Sequence, residues 1–256
     1  MNYNDVIGVL KAWCREKGDR YHEYYRKAGG ETYIKYLVTG ELQFHLSMLM
    51  EREFSSPEDF LEQVKASYWH FYDISLQREK TPVQTYMIQT IYDEFSLYME
   101  TVLQTDIYTL SSPLPYERVI IGEEAEALYA RFWDVFEYDV NIYWYPLCGG
   151  EPQKVSEKCY FMSEHIEPYW TDICKLVGIP EKRVYALCDS AYQIPFCMGM
   201  EDMTFDECSE TVYTNYDFTW MIYFSHEDTV AFAGDIVPKV KTLLKDKAEH
   251  MNRYEG

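Results

Sequence analysis

The chain reads as an α+β or α/β protein, with a largely helical N-terminal half packed on a mixed α/β C-terminal half. Three observations predict this. Two apolar-striped segments follow one another with helix-start signals at Ser56-Pro57 and Thr81-Pro82. A Pro- and Ser-rich break follows at Ser111-Ser112-Pro113-Leu114-Pro115. Beyond it, short apolar runs alternate with helical patterns, the texture of a sheet with covering helices.

Taken in order, residues 5–28 predict a helix. Val6, Leu10, Trp13, Tyr21, Tyr24 and Tyr25 recur near a 3.6-residue period, with a lapse around Gly18 and a stop at Gly29-Gly30. Residues 31–53 fit two states. Leu42, Phe44, Leu46, Met48 and Met50 alternate as in a hairpin with a turn at Thr39-Gly40, while Ile34, Val38, Leu42, Leu46 and Leu49 fit a helix. The next helix starts at Ser56-Pro57-Glu58-Asp59: a cap, a preset φ, and two acids at the positive helix end. Phe60, Leu61, Val64, Tyr68, Phe71, Tyr72 and Leu76 form its stripe. Val83, Met87, Ile91, Phe95, Tyr98 and Val102 form that of its successor, and the short turn between them predicts an antiparallel pair.

The break sets an expected division into 1–112 and 113–256, with one continuous domain as the alternative. After it, Val119-Ile120-Ile121 is a short apolar run. Residues 122–136 predict a helix with Leu128, Phe132 and Val135 inward, and 140–145 a strand. A helix is expected over 164–178 and a strand over 184–188. Residues 193–210 are expected to be irregular. Residues 218–224 and 229–233 predict two strands about the turn Ser225-His226-Glu227-Asp228. A last amphipathic helix is expected over 236–250, with Val240, Leu243 and Leu244 inward.

The 256 residues suffice for one large domain or two small ones, and for a core that needs no disulfide. The seven cysteines, Cys14, Cys148, Cys159, Cys174, Cys188, Cys197 and Cys208, are odd in number and irregularly spaced, without a CxxC pair. They predict reduced thiols and a cytoplasmic protein. No apolar run approaches the roughly 20 residues needed to span a bilayer, and the first twenty residues lack the basic leader and apolar core of a signal peptide. Twenty-five tyrosines suit half-wet core edges and contact surfaces.

Charge is the most informative property. The formal net charge is −20. Residues 1–112 carry 17 acids and 11 bases, and residues 113–256 carry 26 and 12. No Lys or Arg occurs from Val184 to Pro238, whereas ten acids do. Such a field repels nucleic-acid phosphates and anionic lipid surfaces. It speeds encounter with a basic protein. The expected contact residues are Glu201, Asp202, Asp206, Glu207 and Glu210, with Tyr213, Tyr216, Phe218 and Trp220 as exposed aromatics.

Chemical motifs are sparse. There is no GxxxxGK[ST], no GxGxxG after a strand, no HExxH and no GxSxG. No cofactor is implied. His226, Glu227 and Asp228 are three consecutive metal-ligand types in a turn, where side chains can converge. Asp189 follows an expected strand end, a common place for active-site groups. Asp189, His226 and Glu227 therefore define an alternative reading as a metal-assisted or carboxylate-based hydrolase, with Glu164 and Glu167 as further carboxylates near aromatics.

The segment from Trp220 through Ser225-His226-Glu227-Asp228 to Gly234 resembles a strand–turn–strand ending of uncharacterised bacterial proteins similar to toxin-immunity proteins. The resemblance covers these fifteen residues. It implies a binding role and carries over no functional residue. The preferred expectation is thus a non-enzymatic, acidic, immunity-type module that binds a basic protein.

Overall fold

The computed structural model describes residues 2–28, 33–76, 80–105, 114–138, 143–177, 183–188, 194–205 and 210–254, with backbone alone for 69–76 and 188. The chain divides into two compact units, Met1–Arg118 and Val119–Gly256. The expected division after residue 112 falls outside the described residues.

The N-terminal unit is built from α1 (Tyr3–Ala28), α2 (Tyr33–Leu49), α3 (Pro57–Leu76) and α4 (Pro82–Leu103). α1 runs unbroken through Gly18, and the lapse there has a packing reason. A Cβ on Gly18 would lie 3.0 Å from Thr39 Oγ1 on α2. The ambiguity over 31–53 resolves as helix. Val38, Leu42, Leu46 and Leu49 are buried at helical spacing, and the Thr39 hydroxyl donates back to the Tyr36 carbonyl at 2.8 Å instead of opening a turn. Ser56 caps α3, its Oγ accepting from the Asp59 backbone at 3.2 Å. Thr81 and Gln84 form a reciprocal capping box on α4. Val6, Leu10, Leu42, Leu46, Phe60, Ile91, Phe95 and Met99 belong to the core these helices share.

One charged group sits inside this unit. Lys11 is 0% exposed. Its ammonium donates to Ser47 Oγ at 2.6 Å and to the Glu117 carbonyl at 3.1 Å, and pairs with Glu117 Oε1 at 3.0 Å. Ser47 Oγ lies 2.8 Å from the same carboxylate oxygen. A buried charge persists only when paired and hydrogen-bonded, and this one ties α1, α2 and the segment at Glu117 together.

The C-terminal unit is organised on a sheet. In chain order its elements are β1 (Glu117–Val119, crossing the division), α5 (Glu123–Phe136), β2 (Lys158–Met162), α6 (Ser163–Ile166), α7 (Trp170–Val177), β3 (Arg183–Cys188), β4 (Phe196–Gly199), β5 (Thr211–Thr214), β6 (Trp220–Ser225), β7 (Thr229–Gly234) and α8 (Val237–Leu243). The seven described strands lie in the order β1-β4-β3-β5-β6-β7-β2. All pairings from β4 to β2 are antiparallel. The protein is therefore α+β, a helical N-terminal half followed by an antiparallel sheet. β5 and β6 are buried at every position, because both faces are covered. On one face Ile173, Val177, Val237, Val240 and Leu244 pack with Ile222, Phe224, Val230 and Phe232. On the other Leu128, Phe132, Phe136 and Trp144 pack with Met221, Tyr223, Ala231 and Ala233. Asn252 covers the edge strand β2, donating to the Tyr160 carbonyl at 2.9 Å and accepting from the Tyr160 backbone at 3.0 Å.

Several expectations need correction. Phe136, four residues after Phe132, takes the inward position in α5, and Val135 is 37% exposed. Tyr143 and Trp144 are non-regular and Tyr145 begins a turn; residues 140–142 lie outside the described set. The expected helix over 164–178 breaks into α6, a 3₁₀ turn (Glu167–Tyr169) and α7, because Pro168 lacks a donor and disfavours helix in the residue before it. The segment 193–210 is not irregular throughout: β4 pairs with β3 in the register Arg183↔Gly199, and a 3₁₀ turn (Met200–Asp202) follows. The final helix stops at Leu243 and gives way to a 3₁₀ turn (Lys245–His250).

Candidate functional site

Antiparallel register decides which side chains meet. Val212↔Tyr223 on β5 and β6, and Ser225↔Thr229 on β6 and β7, bring the start of β5 beside the β6–β7 turn. Glu210, just before β5, therefore reaches His226, in that turn. Glu210 Oε1 accepts from the His226 backbone at 3.1 Å and pairs with the ring Nδ1, while Oε2 accepts from the Tyr223 hydroxyl. His226 Nε2 lies 3.4 Å from Glu227 Oε1. Glu227 Oε2 in turn accepts from the Tyr254 hydroxyl at 3.3 Å. The ring of Tyr143 sits 5.0 Å from that of His226.

Tyr143 also walls a cavity of about 290 Å³ in the same unit. Glu137, Tyr143, Trp144, Cys148 and Glu151 line it. Glu137 ends α5 in the left-handed conformation, at φ 51°, and its Oε2 accepts from the Lys154 backbone at 2.7 Å. Trp144 is buried and held by its indole N–H, which donates to the Phe136 carbonyl at 2.9 Å. The Cys148 thiol donates to the Gly150 carbonyl at 2.6 Å. Glu151 pairs with Lys158 at 3.2 Å. Trp133, Asp134 and Glu126 are exposed on α5. Among the described residues no Lys, Arg or His lines the cavity.

The local field is negative. Burial, followed by the Glu151 carboxylate, pushes the Tyr145 phenol up to about 12. Desolvation and the Glu227 carboxylate raise the Tyr254 phenol. Both phenols resist gaining a further negative charge among these carboxylates.

The sequence-derived candidates fare differently. Tyr213, Phe218 and Trp220 are core residues, 4%, 4% and 5% exposed, and Asp202 is buried as well. Their expected role as exposed contacts is corrected: Tyr213 and Trp220 lie within strands buried at every position, and Phe218 belongs to the core beneath α5. Tyr216 and Glu201 are exposed. Glu210 is turned inward to Tyr223 and His226. Asp189, Asp206 and Glu207 lie outside the described residues. Among the described residues, no group of three or more His, Cys, Asp or Glu side chains is placed to hold a metal ion, and His226, Glu227 and Asp228 form none. Instead the Asp228 carbonyl accepts from the Ser163 backbone at 2.7 Å. Both nitrogens of His226 face carboxylates, so the ring acts as a structural clasp between the turn and Glu210. Cys14, Cys148, Cys159, Cys174 and Cys197 form no disulfide. Among the described residues no helix is long and apolar enough to cross a membrane.

The role of Glu137, Tyr143, Trp144 and Glu151 has no sequence signature. Glu137 and Glu151 are fourteen positions apart, and what joins them is the path of the chain after α5. No family model, curated protein or solved structure matches the chain.

Proposed function

We propose that the C-terminal unit is a non-enzymatic binding module for a basic protein, and that a lysine or arginine side chain of that partner enters the cavity beside Tyr143. The observation that carries this reading is the cavity wall: two carboxylates, Glu137 and Glu151, with two aromatic rings, Tyr143 and Trp144, and no basic side chain among the described lining residues, Lys158 reaching Glu151 without lining the cavity. A cation entering it gains carboxylate pairing and ring-face attraction together. Residues 119–256 carry 25 acids against 11 bases, which steers a cationic partner toward the unit. Exposed Trp133, four residues before Glu137 on α5, supplies further contact area, as aromatic anchors do. The same field disfavours nucleic acid and anionic membranes. The chain would mask its partner in the manner of an immunity-type protein, and the Trp220–Gly234 resemblance, which falls on the β6–β7 hairpin, agrees with a binding role. Cysteines outside any disulfide fit a cytoplasmic setting.

Affinity capture on the wild-type chain and on Glu137→Lys/Glu151→Lys, washed at low and high salt, tests the reading. The expected result is a stoichiometric basic protein that leaves at high salt and is absent from the charge-reversed variant. Equal capture by both chains would remove the cavity from the interface.

A further inference from the structure

We infer that the N-terminal unit holds a second, independent site, for a small organic carboxylate, in the cavity between α2 and α3. This cavity has a volume of about 380 Å³, within the usual 300–1,000 Å³ of small-molecule sites. Its apolar wall is Met48, Leu49 and Ala66, and its polar lining includes His45, Arg52 and Ser67. An apolar surface with a few convergent polar groups is the common pattern for a compact organic ligand.

Charge selects the class. Lys11, Lys17, Lys65 and Arg118 each pair with a glutamate in this unit. Arg52 makes no ion pair among the described residues, although residues 1–118 carry 18 acids and 12 bases. Glu51, its chain neighbour, is committed to Arg118 at 3.1 Å. A guanidinium offers a planar fork that matches a carboxylate in two parallel hydrogen bonds. The Ser67 hydroxyl already donates to the Val64 carbonyl at 2.8 Å, so it is placed to accept, which suits a ligand hydroxyl or amide near the acid. The other wall argues for a single negative charge. Gln63 lines the cavity and donates to Asp59 at 2.8 Å. Gln63, then Ser55, holds the Asp59 carboxyl below its ordinary range, so a fixed anion stands next to the site and disfavours a phosphate dianion. The ligand's apolar body lies against Met48, Leu49 and Ala66, and its carboxylate against Arg52.

Methyl NMR of the full chain reads this directly, with the Met48 methyl assigned by Met48→Leu. The probes are 3-phenylpropanoate, octanoate and indole-3-acetate, with 3-phenylpropanamide as the uncharged control. At least one acid is expected to shift the Met48 methyl saturably, with the amide weaker by tenfold or more. Arg52→Gln is expected to weaken the acid about tenfold while leaving the melting temperature unchanged, and Arg52→Lys to restore part of the affinity. Ala66→Leu, which narrows the cavity, is expected to weaken acid and amide alike. No saturable Met48 shift with any of the three acids would overturn the site. So would equal affinity for acid and amide, or an Arg52→Gln chain that binds as well as wild type.

Discussion

The two units handle charge differently, although both bury neutral polar side chains. The N-terminal helices take a lysine, a serine and a glutamate inside, at Lys11, Ser47 and Glu117. The C-terminal unit buries only uncharged side chains in β5, β6 and β7, Thr211, Thr214, Ser225 and Thr229 among them, and places carboxylates at Glu210 before β5, Glu227 in the β6–β7 turn, Glu137 at the end of α5 and Glu151 in a loop. Of these, Glu210 closes on Tyr223 and His226, whereas Glu137 and Glu151 line a cavity; the Lys11–Glu117 pair of the helical unit is consumed by its own structure. Excess acid alone thus does not mark a docking surface. What matters is whether a carboxylate is enclosed with its partner, as Glu117 is with Lys11, or lines a cavity while still exposed, as Glu151 does beside Lys158.

The largest effect that sharpens this contrast is expected at Lys11. Lys11→Met leaves the Glu117 carboxylate without its buried cation and should cost about 3–5 kcal/mol in chemical denaturation. Lys11→Met/Glu117→Gln should recover much of that loss, and a double variant no better than the single would contradict an inward ion pair. Next comes Trp220→Ala. As a core residue it should lose about 3–5 kcal/mol, while exposed Tyr216→Ala should stay within about 0.5 kcal/mol. Equal, small effects would return Trp220 to the surface. Gly234 has φ +74° and a Cβ there would collide with the Thr219 carbonyl oxygen. Gly234→Ala should therefore cost more than about 1 kcal/mol, read as a drop in denaturation midpoint at unchanged slope. Thr81→Ala removes one half of the α4 capping box and should cost about 1 kcal/mol, with Thr81→Ser close to wild type. The smallest effect at neutral pH concerns Cys159, whose thiol burial pushes up to about 12 from an ordinary 9.0. A raised folded value means that the unfolded chain loses the proton first. Stability from this group is complete below pH 9 and is lost as pH rises toward 12. Cys159→Val should flatten that alkaline decline.

Much of the helical half was legible in the residues because its signals are local. Ser56-Pro57 and Thr81-Pro82 announce caps, and Ile91, Phe95 and Val102 repeat on one face. The β6–β7 hairpin was legible for the same reason, its turn lying between two apolar runs. β4 and β5 were not, since four-residue strands buried between neighbours have no period of their own. The tyrosine- and tryptophan-bearing strands misled in a related way. Beside so many acids, Tyr213 and Trp220 read as exposed, whereas burial on both faces of a sheet depends on helices distant in the chain. Glu210 and His226, sixteen residues apart, meet only through the β5–β6 register. The cavity beside Tyr143 depends on where the chain runs after Glu137, which no local pattern encodes.

The central claim is that the cavity beside Tyr143 receives a cationic side chain. A ¹⁵N-resolved titration with a short arginine peptide tests it most directly, with the Trp144 indole N–H as reporter because its bond to Phe136 fixes it in the cavity wall. The account predicts saturable shifts at the Trp144 indole, Tyr143 and Gly150 that weaken with salt and vanish in Glu137→Lys/Glu151→Lys. Shifts scattered over the acidic surface with an unmoved Trp144 indole, or shifts that persist in the charge-reversed chain, would contradict it.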